Sequence, residues 1–302
     1  MMNTRSQNVL KRFSSIPTRF SPYMQEGSEL PVGSSGKTGM ALLTFEECNG
    51  KTYLTRNYNQ MPARVLHALY YDPHREGMPY IIFVNPTGGI VQGDRYEYEF
   101  RMEKGSEAFI TENAATKIYK MERNYGSRET DIYLGHGSRL EYIPRENIAF
   151  AGSRWFQRIT FHLEGEARLF YSDIFCPGRI ARGELWDFSV YASKMMIKKD
   201  GRPLVIDNIL WGGENKSEAR TLLGDRTFYL SGYWFSNHAS DAKEHIEFGG
   251  LLGGATNMPN GSGIVVKALG DDLDELRHFQ LRLWDLFRRV ETGTPAPDLR
   301  MC

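Results

Sequence analysis

Apolar residues in this chain fall mostly in short runs or at alternate positions, the patterns of buried and half-buried strands. The run Ile81-Ile82-Phe83-Val84 is wholly apolar, and residues 96–100, Tyr-Glu-Tyr-Glu-Phe, alternate strictly. Residues 41–45 and 52–55 flank Asn49-Gly50, a pair that favours a two-residue hairpin turn. Further strands are predicted at 186–191, 193–198, 204–211 and 227–233, with Asp200-Gly201 as another turn. The clearest helical spacing covers 272–290, where Leu273, Leu276, Gln280, Leu283, Trp284, Phe287 and Val290 recur on one face. Asp272 with Glu275 resembles a capping box, and Arg288 and Arg289 suit a last turn. Residues 236–248 are a second helix candidate.

A weak repeat runs through the middle. Gly105, Gly137 and Gly165 each open a strand (105–110, 137–142 and 165–170), and each follows an alternating strand (96–101, 131–134 and 159–163). The glycines are 32 and 28 residues apart. Such recurrence predicts strand–turn–strand units that bury their apolar faces on one another. Ordinary hairpins of an antiparallel protein are the competing reading. The expected fold is mainly β, a helically wound, β-solenoid-like sheet assembly with about two α-helices in a single domain over 37–302. Residues 1–36, polar and rich in serine and glycine, are expected to be a largely disordered arm.

Composition narrows the function classes. Lysine plus arginine (37) equals aspartate plus glutamate (37), so net charge gives no reason to expect nucleic acid or an anionic membrane as partner. No run approaches the ~20 apolar residues of a membrane-spanning helix. The N-terminus is basic but lacks a secretory apolar region; a short basic tail is the simpler reading, a transit peptide the alternative. Cys48, Cys176 and Cys302 are far apart and odd in number, which suits a reducing compartment, and the expected location is the cytoplasm.

The loop Asn85-Pro86-Thr87-Gly88-Gly89-Ile90-Val91-Gln92-Gly93-Asp94 lies between two strand signals and ends in an acid. Three glycines and a proline exceed the needs of a simple hairpin. A strand rather than a helix follows, so the loop is no dinucleotide fingerprint. Gly36-Lys37-Thr38 has Pro31 where a phosphate loop needs glycine. His67 and His74, like His238 and His245, are seven apart, which fits neither a zinc knuckle nor a metalloprotease helix. No Gly-x-Ser-x-Gly elbow is present. There remain Asp94, Thr116-Lys117, Asp173, Glu184 and Asp207, set in or beside strands. Acids in apolar runs are costly unless paired, hydrogen-bonded or lining water. Either they pair with Arg95, Lys117, Arg179 or Arg182, or they line a polar passage whose hard oxygens suit a divalent cation.

Four ordered motifs then stand out: N-P-T-G-G-I-V-Q-G-D at 85–94, T-E-N-A-A-T-K-I-Y-K at 111–120, Y-I-P-R-E-N-I-A-F at 142–150 and D-I-F-C-P-G-R-I-A-R-G-E at 173–184. Their order and spacing resemble the UreD/UreH family of urease accessory proteins, from about Thr38 to the closing Trp284-Asp285-Leu286-Phe287-Arg288. The resemblance implies a non-enzymatic chaperone of urease maturation with a mainly β, helically wound fold and two helices. It implies binding to the urease apoprotein and UreF, recruitment of the GTPase UreG through UreF, and a dimeric state within that hetero-complex. It also implies nickel carried transiently, not as a permanent cofactor, through an internal water-filled passage. Carried over by motif, Asp94, Asp173 and Asp207 are the expected nickel-passage acids. Thr116, Lys117, Glu184, Gly88, Gly89 and Gly93 are expected to line or shape the route. The second motif departs from the family near Asn113 and Ala114, where glycine or proline is common, and the arm lies outside the family core. Two other readings stay open: a β-helical hydrolase using Asp94 and Asp173 as acid and base, and a docking platform that moves no metal.

Overall fold

Asn49 and Gly50, at φ 54° and 78°, close the hairpin of β1 (Thr38–Cys48) and β2 (Lys51–Gln60), as the Asn-Gly pair predicts. In the computed structural model, residues 15–24, 36–212, 221, 223, 224 and 226–299 are described. β3 (Arg64–Val65) and β4 (Tyr80–Val84) pair antiparallel. The chain then winds through β5 (Arg95–Met102), β6 (Glu107–Glu112), β7 (Thr116–Ile118), β8 (Gly126–Leu134) and β9 (Arg139–Ile143). It continues through β10 (Asn147–Ala149), β11 (Arg154–Leu163), β12 (Arg168–Cys176) and β13 (Val190–Lys199). β14 (Arg202–Gly212), β15 (Phe228–Phe235), helix α1 (Ala239–Ala242), β16 (Leu252–Asn257), β17 (Gly263–Gly270) and helix α2 (Leu273–Thr292) complete it.

From β4 to β13 the chain crosses repeatedly between two sheets. One sheet runs β14-β13-β11-β8-β5-β1-β2, the other β16-β17-β15-β12-β9-β6-β4-β3. Within the first, β1, β5, β8, β11 and β13 are parallel neighbours; within the second, β4, β6, β9 and β12 are. Parallel partners on alternating sheets make the winding helical, so the solenoid-like architecture read from the glycine repeat is present. Gly105, Gly137 and Gly165 stand at the corners before β6, β9 and β12 with φ of 71°, 70° and 52°. The corners stack: Arg139 N donates to Ser106 O and Arg168 N to Ser138 O, each at 2.8 Å. Antiparallel strands cap the open ends of the coils, a common way to protect sheet edges.

Inward-facing residues such as Leu43, Phe100, Ile132, Phe161, Leu140 and Leu169 fill the space between the sheets. A second core lies on the outer face of the longer sheet, where Leu276, Phe279, Leu283, Trp284 and Phe287 of α2 cover Phe109, Phe170 and Leu230. Asp272 caps α2 by accepting from Asp274 N (2.8 Å) and Glu275 N (3.4 Å). The Glu275 side chain accepts from Gly250 N instead, so the reciprocal half of the capping box is not formed. Arg288, read from sequence as a last-turn charge, is buried against Asp72 and Tyr80.

Two stretches differ from the pattern reading. Residues 186–189 form no strand: Trp186 has φ 61° and donates its N–H to Pro177 O, and the rings of Trp186 and Phe188 fill core beside Phe175. Within the arm, residues 15–24 carry a short 3-10 helix, Thr18–Tyr23, whose Phe20 is fully buried against Tyr125, Phe156, Val190 and Ala192 on the outer face of the first sheet. The remainder of 1–36 apart from Gly36 lies outside the described residues.

Candidate functional site

The four sequence motifs are successive floors of one ladder. Ile90 bridges Ile118, β7 pairs with β10, and β10 pairs with β12, all in parallel. Ile90 N donates to Lys117 O (2.7 Å) and Tyr119 N to Ile90 O (2.9 Å). Gly89 cannot carry a side chain, because a Cβ there would lie 2.5 Å from both Lys117 O and the Tyr119 ring. Thr87 N and Oγ1 donate to Asn85 Oδ1 at 3.1 and 2.6 Å, which rounds the loop before Gly88, at φ 75°.

A polar seam crosses the apolar space beside this ladder. On the first sheet Tyr96, Arg128, Gln157 and Ser193 are register partners on β5, β8, β11 and β13. On the facing sheet Asp173, Ser231 and Lys267 are register partners on β12, β15 and β17. Arg128 Nη1 pairs with Glu112 Oε1 at 2.6 Å, and Arg128 Nη2 donates to Gln157 Oε1 at 3.4 Å. Trp155 Nε1 donates to the same Gln157 oxygen at 3.2 Å. Gln157 Nε2 donates to Ser193 Oγ (2.9 Å) and reaches Asp173 Oδ2 (3.5 Å). Lys267 Nζ donates to Ser231 Oγ (2.9 Å), Tyr233 OH (2.8 Å) and the Asp207 carboxylate. Asn147, fully buried, approaches Gln157 Oε1 through Nδ2, while its Oδ1 has no protein partner.

A cavity lies at each end of the seam. The first, about 120 Å³, is bounded by Asn85, Gly88, Gly89, Glu112, Thr116, Lys117 and Arg128, with Lys117 exposed at its rim. The second, about 20 Å³, is bounded by Asp173, Ser193, Asp207, Ser231 and several tyrosine rings. The first has room for several waters and the second for about one. Burial pushes the Asp173 carboxyl up to about 6; Lys267 opposes that rise and Asp207 adds to it. Burial works against the charge of Arg128, but Glu112 together with the oxygens of the surrounding tyrosines more than offsets it, and the guanidinium stays protonated. Burial raises the phenols of Tyr98, Tyr171, Tyr191 and Tyr233 well above their usual range, so they line the seam as neutral groups. Among the described residues no three His, Cys, Asp or Glu side chains converge as a metal cage.

The sequence model of the family described as UreD urease accessory protein matches residues 37–302. The chain belongs to the UreD family. The urease accessory protein UreD of Haloarcula marismortui is 32% identical over 276 residues, covering 89% of this chain and 92% of the relative. That of Cenarchaeum symbiosum is 29% identical over 291 residues, covering 91% and 99%. Urease accessory protein UreD 2 of Brucella suis is 30% identical over 288 residues, covering 91% and 95%.

In this UreD chain the nine residues singled out from sequence separate into groups. Asp173 and Asp207 share the second cavity, and Gly88, Gly89, Thr116 and Lys117 border the first. Thr116 Oγ1 donates to Glu112 Oε2 at 3.0 Å, which fixes that carboxylate. Asp94 borders neither cavity. Its Oδ1 accepts from Lys37 N (3.0 Å) and Gly36 N (3.3 Å), and its Oδ2 from Val91 N (3.0 Å). It is a clasp between the glycine loop and the chain leading into β1, and neighbouring Gly93, at φ 81°, ties the loop to Tyr125 O. Glu184 pairs with Arg179 and accepts from Ala151 N (3.3 Å), so it ties the fourth motif to the turn that follows the third. Arg95 gives its guanidinium to backbone oxygens of Asp94 and Tyr125, not to the Asp94 carboxylate. Asp94 and Asp173 border no common cavity, as an acid–base hydrolase would require.

Glu112, Arg128, Gln157 and Lys267 belong to the seam and were not singled out from sequence. Their signal is phase: Arg128 is in step with Ile132 and Leu134, and Gln157 with Trp155, Ile159 and Phe161, all core residues. A polar side chain in the buried phase of a strand is the feature to search for.

Proposed function

We propose that this UreD chain is a scaffold of urease maturation. It binds the urease apoprotein and UreF, recruits UreG through UreF, and passes nickel between them along the internal seam. The observation that carries this reading is the in-register polar row joining two cavities through an otherwise apolar space. Nickel is cargo here, so it must bind strongly enough to enter and weakly enough to leave. Single carboxylates and amide oxygens, spaced apart, provide exchangeable hard ligands, whereas a His/Cys cage would hold the ion under the Irving–Williams trend. In this reading Asp173 and Asp207, which border the second cavity, meet the ion there, and Glu112 meets it at the first. Thr116 and Lys117 shape that cavity's rim, and Asp94 acts through the loop it clasps. The work is binding and transfer rather than turnover, and the cysteines suit the reducing cytoplasm.

The test is co-purification from cells expressing urease subunits, UreF, UreG and this chain with Asp173→Asn and Asp207→Asn together. The complex should be recovered while nickel per urease falls by about 10- to 100-fold, the loss typical of removing groups around a metal. Full nickel content with the double variant at normal protein level would leave a docking platform without metal transfer.

A further inference from the structure

The seam already contains a cation at its centre. Arg128 is 8% exposed, bonded through Nη1 to Glu112 and through Nη2 to Gln157 Oε1. Gln157 is in turn the junction of the row: it receives Trp155 Nε1 and Asn147 Nδ2, and it donates toward Ser193 and Asp173. A cation leaving the first cavity for Asp173 must therefore pass the oxygen that the guanidinium occupies. The titratable groups facing that point are Glu112, Asp173 and Asp207 against Arg128 and Lys267, with the neutral tyrosines around them. Two fixed cations against three carboxyls leave little net negative charge for a divalent ion. A divalent cation beside a buried guanidinium is strongly repelled, because little water screens the pair.

We propose that Arg128 is the resident counter-ion of the seam and its gate: a divalent cation reaches Gln157 and Asp173 only when the guanidinium withdraws. This rests on the passage reading above and adds a regulated step to it. The first cavity, which Arg128 borders, provides the space for withdrawal. The unpartnered Asn147 Oδ1, buried beside Gln157, is then an oxygen available to the arriving ion. Arg128 is thus a positioning and specificity residue for a cation, not a ligand to it.

Trp155 reports the event, since its indole N–H sits on Gln157 Oε1. In the ¹⁵N-labelled full chain, titrated with nickel(II), the Trp155 indole signal (assigned with Trp155→Phe) should stay sharp in the parent and in Arg128→Lys. In Arg128→Gln it should broaden at nickel concentrations lower by about tenfold or more. Glu112→Gln with Arg128→Gln, which leaves no unpaired buried charge, should behave the same way and covers the case in which the single variant does not fold. Equal broadening in the parent and in Arg128→Gln overturns the gate while leaving the passage standing. A signal that stays sharp in every folded variant overturns both, because then no cation reaches the centre of the seam.

Discussion

Asp72 and Arg288, 216 residues apart in the chain, form a fully buried ion pair with Oδ2 and Nη2 2.5 Å apart. Tyr80 OH donates to the same Asp72 oxygen and accepts from Arg288 Nη1, and Glu141 takes Trp284 Nε1 at 2.7 Å alongside. This cluster locks α2 to the outer face of the coils at one register. Removing one partner of a buried pair strands the other charge, so Asp72→Ala should lower unfolding free energy by about 3–5 kcal/mol. Urea denaturation measures it. Asp72→Asn, which keeps an acceptor for Tyr80, should cost less.

Asp173 gives a pH signature. Its carboxyl is raised from 3.8 to about 6, chiefly by burial, so the folded chain holds this proton more tightly than the unfolded chain does. By linkage, its contribution to stability is most favourable below the unfolded value, declines as pH rises through this window, and is level above about 6. Asp173→Asn removes that slope. The variant's stability relative to the parent should therefore rise between pH 4.5 and 6.5 by on the order of 2 kcal/mol and then plateau. Paired denaturation curves across that range check the sign; a difference that does not change with pH would show that Asp173 keeps an ordinary carboxyl.

Asp94 should behave as a clasp. Asp94→Ala leaves the N–H groups of Gly36, Lys37 and Val91 without their acceptor and should cost about 1–3 kcal/mol. Hydrogen exchange should speed up at those three amides, with the Asp173 end of the seam unchanged. If exchange there is unaltered while nickel transfer is lost, the acid acts on the ion directly.

The solenoid was legible because its causes are local. Corner glycines at 105, 137 and 165 and the period-2 strands between them specify the winding without long-range information. The family was legible because each motif is one floor of a single ladder, and stacked floors must recur in order. The seam was only half legible. Asp173 and Asp207 betray themselves as acids in apolar runs, but Arg128 and Gln157 become a site only when β8 and β11 fall into register. Asp94 was misleading for the converse reason: an acid closing a glycine loop has the same sequence signature whether it faces a cavity or the loop's own amides. Sequence could not show that three N–H groups converge on it.

The central claim is transit through the seam, and obstruction tests it most directly. Ser193 and Ser231 are the small residues facing the second cavity, whose volume is only about 20 Å³. Ser193→Val, with Ser231→Val as a second and separate obstruction, would fill it while leaving every acid in place. The measurement is nickel per urease active site in complexes purified with each variant at parental yield. Transit through the seam predicts intact complexes whose urease holds about a tenth of the parental nickel or less. Parental nickel content in a complex with the cavity filled would contradict it.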